Sequence, residues 1–318
     1  MALDLFKIEK KPLKGLMAVE WVVMIYLVVT LVITLLFYGS MVNPNAMISG
    51  RIQIAVTTLL LWAVYRMYPS QLMRLIRICV QMALLSWWYP DTYELNRLLP
   101  NLDHVFASWE QALFGFQPAL LFSAKISSPV FSELMDLGYA SYYPLIALIV
   151  IFYFISRRTE FERCAFVIMA SFFAYYIIFD LLPVVGPTFY YNAVGVDEIA
   201  RGSFPAMGDY FNYHQECLTS PGYTDGVFYH LVENAKAAGE RPTAAFPSSH
   251  VGITTVLMWL AWQTRNRRLL YFMLPFFVLM FFATVYIQAH YAIDALAGLL
   301  TGTIFYFLFR FTGAKLKV

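Results

Sequence analysis

Two histidines forty residues apart, His250 and His290, are the residues of this 318-residue chain best suited to chemistry. His250 follows Pro247-Ser248-Ser249, and His290 is followed four residues later by Asp294. Side chains at i and i+4 share one helix face, so the Asp294 carboxylate is expected to hydrogen-bond one nitrogen of His290. That bond would fix the tautomer and leave the other nitrogen free to attack. His250, at a facing helix end, is expected to protonate a leaving oxygen and then to deprotonate an acceptor hydroxyl. Proline suits the first position of a helix because its missing N–H is not needed there. The first-turn amides behind it, together with Ser248 and Ser249, form a cradle for phosphate. Arg241, with Lys236 shortly before it, is expected to hold the equatorial phosphate oxygens. The chemistry implied is attack on a phosphate ester through a phosphohistidine.

A lone histidine at a helix end is more often an interfacial hydrogen bonder than a catalyst. The Asp beside one of this pair and the Pro-Ser-Ser before the other favour catalysis. His104, His214 and His230 have no such company and read as loop residues. Neither a Cys-x-x-Cys pair nor a His-Glu-x-x-His helix occurs, so no metal and no other cofactor is expected. Three scattered cysteines, Cys79, Cys164 and Cys217, argue against a disulfide framework.

The elements that must position the two histidines are membrane helices. The chain is 60% hydrophobic and only 13% charged, well above the roughly 45–50% apolar share of soluble domains. Apolar stretches of spanning length lie near residues 18–39, 52–68, 72–89, 133–155, 163–183, 247–264, 269–289 and 290–311. The fold expected is therefore an all-α polytopic bundle of about eight spans in one membrane domain, residues 1–318. Residues 1–90 supply the N-terminal helices, 91–132 an interfacial segment and 133–312 the catalytic core, which carries a long loop at 185–246.

Positive charge collects in short cytoplasmic loops. With the N-terminus inside, the clusters Lys7 to Lys14, Arg66 to Arg77, Arg157 to Arg163, Arg265 to Arg268 and Arg310 to Lys317 fall on one side. They hold 16 of the 22 basic residues. Both termini are accordingly expected to be cytoplasmic, with both histidines at the non-cytoplasmic face. Ionisable groups within spans are functional candidates by default. Asp180 is therefore a candidate for shaping the site, while the Tyr139 to Tyr143 run and the pair Tyr190-Tyr191 read first as interface anchors and second as binding residues.

Pro-Ser-Ser-His at 247–250 followed by His-Tyr-x-x-Asp-x-x-Ala-Gly at 290–298 resembles the type 2 phosphatidic acid phosphatase superfamily. The resemblance implies a catalytic triad of His250, His290 and Asp294 in a six-helix core, without metal. The family's first motif sets six residues between a Lys and Arg-Pro, whereas Lys236 and Arg241-Pro242 have four between them. A finer resemblance, to the inositol phosphorylceramide synthase branch, is carried by Leu102-Asp103, Glu110, Leu113-Phe114-Gly115, and Pro183 to Pro187 before Tyr190-Tyr191. It implies a phospholipid or lipid phosphate donor and a ceramide or other lipid alcohol acceptor. No nucleic-acid partner is expected. The reading favours a lipid phosphotransferase over a lipid phosphate phosphatase, with a non-catalytic transporter as the rival from another class. The transporter is disfavoured because no paired, broken helices recur in symmetric halves.

Overall fold

The computed structural model describes residues 5–316, so Lys317 of the cytoplasmic set lies outside the described residues. Fifteen α-helices follow one another: α1 Ala18–Leu36, α2 Pro44–Met67, α3 Gln71–Ala83, α4 Leu85–Asn96, α5 Asp103–Phe114, α6 Pro118–Lys125, α7 Pro129–Ala140, α8 Tyr142–Ser156, α9 Phe161–Leu181, α10 Pro187–Val194, α11 Val196–Ala200, α12 Val227–Gly239, α13 Ser249–Gln263, α14 Arg267–Tyr286 and α15 Ala292–Lys315. Among the described residues there is no sheet, only an isolated bridge between Ile8 and Ser70. Proline opens α2, α6, α7 and α10, and Ser70, Ser128, Ser248 and Asn266 cap α3, α7, α13 and α14 through their side chains.

The all-α polytopic architecture is as expected, but the helices long and apolar enough to cross a membrane number five, or six with one bent pair, rather than eight. Two causes account for the difference. The 72–89 stretch breaks at Leu84 into α3 and α4, neither long enough to span. The histidine-bearing α13 has only fifteen residues, about 22 Å of helix against a hydrocarbon thickness of about 30 Å. The bent pair is α7 and α8, which meet at 45°. Pro144 lies in the first turn of α8, where its ring opposes the carbonyl four residues back and no amide closes the ladder.

α13 sits at the centre, packed by α8, α9, α14 and α15. Its contact with α15 is the most intimate in the fold because glycines line it. A Cβ on Gly302 would stand 2.3 Å from the Gly252 carbonyl oxygen, and one on Gly298 would stand 2.5 Å from that of Ser248. Small residues four apart let two backbones touch, and in a bilayer that contact is a main source of helix association. α1 to α4 dock on this core through buried polar pairs. Arg51 of α2 donates to both Asp91 carboxylate oxygens of α4 at 3.0 and 2.6 Å, Arg77 of α3 pairs with Glu20 of α1, and Tyr26 of α1 donates to Asp180 of α9 at 2.9 Å. The buried charges Glu20, Arg51, Arg77 and Asp91 are thus each met by an opposite charge, as burial in hydrocarbon requires.

The glycine contact can be tested directly. Gly302→Leu should destabilise the detergent-solubilised protein by about 1–3 kcal/mol through overpacking. Gly39→Ala, where a Cβ meets nothing within 4 Å, should stay within about 0.5 kcal/mol of wild type. Thermal unfolding followed by the fluorescence of the seven tryptophans reads both. Equal midpoints for Gly302→Leu and wild type would refute the close-contact account.

Candidate active site

The first turns of α13 and α15 lie side by side. The Ser248 amide donates to the Asp294 carbonyl at 3.0 Å, which locks the start of one helix to the start of the other. His250, in the first turn of α13, and His290, just before α15, thereby come together with ring centroids 5.7 Å apart at an interplanar angle of 63°. Two aromatic rings from the α7–α8 bend wall His250: Tyr139 stacks on it at 4.5 Å and 27°, and Tyr142 lies at 4.4 Å and 43°. Its Nδ1 is buried and meets no hydrogen-bond partner.

His290 lies in the short connection between α14 and α15 and is only 4% exposed. Its amide donates to the Thr284 carbonyl at 3.0 Å, and the turn passes through Gln288 at φ 63°. The ring is oriented differently from expectation. His290 Nδ1 lies 2.8 Å from the Ala245 carbonyl oxygen and 3.6 Å from Asp294 Oδ2. A carbonyl can only accept, so Nδ1 carries the proton and Nε2 of the neutral ring keeps its lone pair. Asp294 instead accepts from the Tyr291 amide at 2.9 Å, closing the start of its own helix, and adds its negative field beside Nδ1. Burial lowers the His290 pKa to about 4, against the pull of the Ala245 carbonyl and the Glu240 carboxylate in the other direction.

The Ala245 carbonyl is itself held in place. The Ala245 amide donates to the Val184 carbonyl at 3.0 Å, and the Thr188 amide donates to the Gln288 carbonyl at 2.9 Å. Residues 184–188 therefore run between the two histidine segments. Gly186 is required in this run: its φ is 88°, and a Cβ there would lie 2.7 Å from the Ala289 carbonyl oxygen. Asp103, at the start of α5, accepts from the Val185 amide at 2.7 Å, the Gly186 amide at 2.9 Å, Asn101 Nδ2 at 2.7 Å and the Tyr291 hydroxyl at 3.0 Å. Glu110, two turns further along α5, accepts from the Ile293 amide at 3.0 Å. Burial, helped by the nearby Asp294, raises the Glu110 pKa to about 8 against the pull of that amide.

Two carboxylates thus occupy the start of α15. The start of α13 is different. Ser248 Oγ accepts from the Val251 amide at 3.4 Å, which leaves the Ser249 and His250 amides in a first turn that has no intrahelical acceptor for them. First-turn amides of this kind are the groups with which a helix start can bind an anion. Arg241 is half-buried and spends one Nη1 bond on the neighbouring Glu240 carbonyl at 2.8 Å. Lys236 is buried and engaged elsewhere, donating to Ser220 Oγ at 2.7 Å and pairing with Glu233 at 3.1 Å. The remaining sequence candidates touch neither histidine, and Asp180 faces the N-terminal helices. Tyr190 donates to the Pro205 carbonyl at 2.8 Å, Tyr191 to Gln117 Oε1 at 2.9 Å, and Asp180 accepts from Tyr26.

Four contributors were not singled out as site residues from sequence: the Ala245 carbonyl, Asp103, and Tyr139 and Tyr142 against His250. A backbone carbonyl leaves no trace in residue type. The tyrosines, three apart across a helix break, look like interfacial anchors until the bend turns both toward α13.

A family model described as the PAP2 superfamily matches residues 104–308, well over half of the chain and spanning α5 through most of α15. No curated protein and no solved structure matches.

The His290 environment sets a pH dependence. An unfolded histidine takes up its proton near pH 6.5, but folded His290 does so only near 4. Between those values the unfolded state binds the extra proton, so stability falls as the pH drops through this window. From pH 7 to 4, wild type should lose on the order of 3 kcal/mol more than His290→Gln. Chemical denaturation at a series of pH values measures the difference, and parallel profiles would refute a buried neutral imidazole.

Proposed function

Because the chain belongs to the PAP2 superfamily, we propose that it is a membrane phosphotransferase that moves a phosphoryl or phospho-head group between lipid phosphate esters and a lipid hydroxyl through a phosphohistidine at His290. The observation that carries this reading is the pair of imidazoles 5.7 Å apart, one of them with Nδ1 tied to a carbonyl and Nε2 free. Burial lowers the His250 pKa to about 3, so the ring takes up its proton only when the phosphate anion enters beside it. In the first step His290 Nε2 then bonds to phosphorus while the bond to the leaving oxygen breaks and the His250 imidazolium gives that oxygen its proton. In the second step His250 takes the proton of the acceptor hydroxyl, whose oxygen bonds to phosphorus as the Nε2–P bond breaks. Both histidines then return to their starting states. The Ser249 and His250 amides, with the Ser248 and Ser249 side chains, are suited to the non-bridging oxygens, whose charge must be held through each transition state, and the Arg241 guanidinium, which spends one bond on the Glu240 carbonyl, would add a charge to them by reaching in. Lys236 would join them only by giving up Ser220 and Glu233. Asp294 supports the positive character that His290 acquires when phosphorylated.

A lipid substrate is supported by an apolar groove of about 650 Å³ against the first turns of α15, lined among others by Phe114, Phe122, Phe281, Phe282 and Leu296, with Lys125 as its one charged group. An alkyl chain lying there would bring a phosphate to the level of the membrane surface. The distribution of Lys and Arg supports a site at the non-cytoplasmic face with both termini cytoplasmic. Ceramide-type acceptors, as in the inositol phosphorylceramide synthase branch, are the favoured class. Their support is that Asp103, Glu110 and the Pro183 to Pro187 run, which carry that likeness, all converge on the His290 segment. The second reading is hydrolysis, in which water replaces the lipid hydroxyl; the closed surroundings of His290 favour transfer over it.

Purified protein in detergent, supplied with a lipid phosphate donor with and without diacylglycerol or ceramide, decides between these. Product formed only with a lipid alcohol is the expected result, and free phosphate released without one would establish the phosphatase instead. His290→Ala should abolish turnover by about 10³-fold or more, and His250→Ala should lower it about 10²–10⁴-fold. Turnover unchanged in His290→Ala would overturn the phosphohistidine mechanism.

A further inference from the structure

Asp103 lies on α5, far from either histidine in sequence, and touches neither ring, yet both sides of the His290 hydrogen bond lead back to its carboxylate. On the acceptor side, Asp103 takes the Val185 and Gly186 amides at 2.7 and 2.9 Å. The same run presents the Val184 carbonyl to the Ala245 amide at 3.0 Å. Gly186 also closes on Ala245, where a Cβ would lie 3.1 Å from that of Ala245. The carbonyl that receives His290 Nδ1 is thus carried by a segment clamped to Asp103. On the donor side, the Tyr291 hydroxyl, from the residue next to His290, donates to Asp103 at 3.0 Å. Asn101 Nδ2 at 2.7 Å fixes the carboxylate in turn. Asp103 is fully buried, and among the described residues no other side chain joins these two segments through so many bonds.

We propose that Asp103 is a positioning residue that selects the Nδ1–H tautomer of His290 and so commits Nε2 as the attacking nitrogen, acting through the 184–186 run, the Ala245 carbonyl and Tyr291. A free imidazole side chain in water prefers the opposite, Nε2–H tautomer, in which the exposed nitrogen has no lone pair to offer. Holding the reactive form therefore requires an acceptor at Nδ1 that stays put, and the Asp103 clamp supplies that constraint. The inference rests on the reading of His290 as the attacking group only for its catalytic consequence, because the tautomer itself is measurable without turnover.

The experiment uses full-length protein with ¹⁵N-labelled histidine in detergent at neutral pH. Wild type should show His290 as the Nδ1–H tautomer. Asp103→Asn, which keeps the volume but puts an amide nitrogen where one of the two backbone amides needs an acceptor, should shift His290 toward Nε2–H while the His250 signals stay in place. Tyr291→Phe, which deletes one of the four donors with little loss of volume, should shift it less. For each variant kcat should fall about 10–100-fold, the size expected for loss of nucleophile alignment, with KM within about twofold of wild type. A donor-labelled phosphohistidine should be purely Nε2-linked in wild type and mixed in Asp103→Asn. If Asp103→Asn proves too unstable to measure, Tyr291→Phe decides alone. An unchanged His290 tautomer in the measured variants overturns the proposal. A wild type with the Nδ1–H tautomer but no phosphohistidine would leave the positioning intact and sink only the mechanism under Proposed function.

Discussion

The bond from His290 Nδ1 to the Ala245 carbonyl is the constraint around which the rest of the site is arranged. An imidazole with a pKa lowered by burial is neutral, and a neutral imidazole has one donor and one acceptor whose exchange would end its usefulness. Fixing the donor on the inner nitrogen requires an acceptor that cannot rotate away. Backbone meets that requirement better than a side chain, provided the backbone is pinned. Residues 184–188, the Gly186 turn and the buried Asp103 provide the pinning. Asp103 in turn is tolerable in the interior only because four donors meet it, so the polar groups of this layer exist as a set.

The helix core follows from the same need for closeness. Gly298 and Gly302 remove the side chains that would hold α15 away from the α13 backbone, and Gly252 leaves room beside α13 for Tyr175 of α9. The Ser248 to Asp294 backbone bond then sets the relative height of the two helix starts. Rotating either helix by one residue would carry its histidine away from the other. The closeness of the two rings therefore depends on backbone contact rather than on any feature of the histidines themselves.

Much of this was legible in the sequence where residue type and function coincide. The His250 and His290 motifs, the helical class and the major spans belong to that group, because apolar length and side-chain chemistry are local properties. What escaped depends on tertiary detail. The 72–89 stretch has spanning length, but the turn at Leu84 divides it, and Arg77 within it pairs with Glu20 rather than facing water. Helix spacing placed Asp294 on His290, yet the nearer acceptor comes from Ala245, forty-five residues earlier. Lys236 resembles a phosphate ligand by spacing but is held by Ser220 and Glu233. The tautomer-setting contacts of His290 involve carbonyl oxygens and amides, and no alphabet of side chains records them.

The paired charges of the N-terminal helices bear on how the chain is made. Arg51 precedes Asp91 by forty residues, and Glu20 precedes Arg77 by fifty-seven. Arg51, left alone within α2, would oppose partition into lipid by up to about 2.5–3.5 kcal/mol on insertion scales, and Glu20, in the first turn of α1, by less. The opposing charge that cancels the cost of α1 is synthesised only with α3, and that of α2 only with α4. Residues 18–96 are accordingly expected to be retained at the insertion site and released to the bilayer together. The glycine-lined catalytic half, still to be translated, would then enter beside a partner that is already assembled.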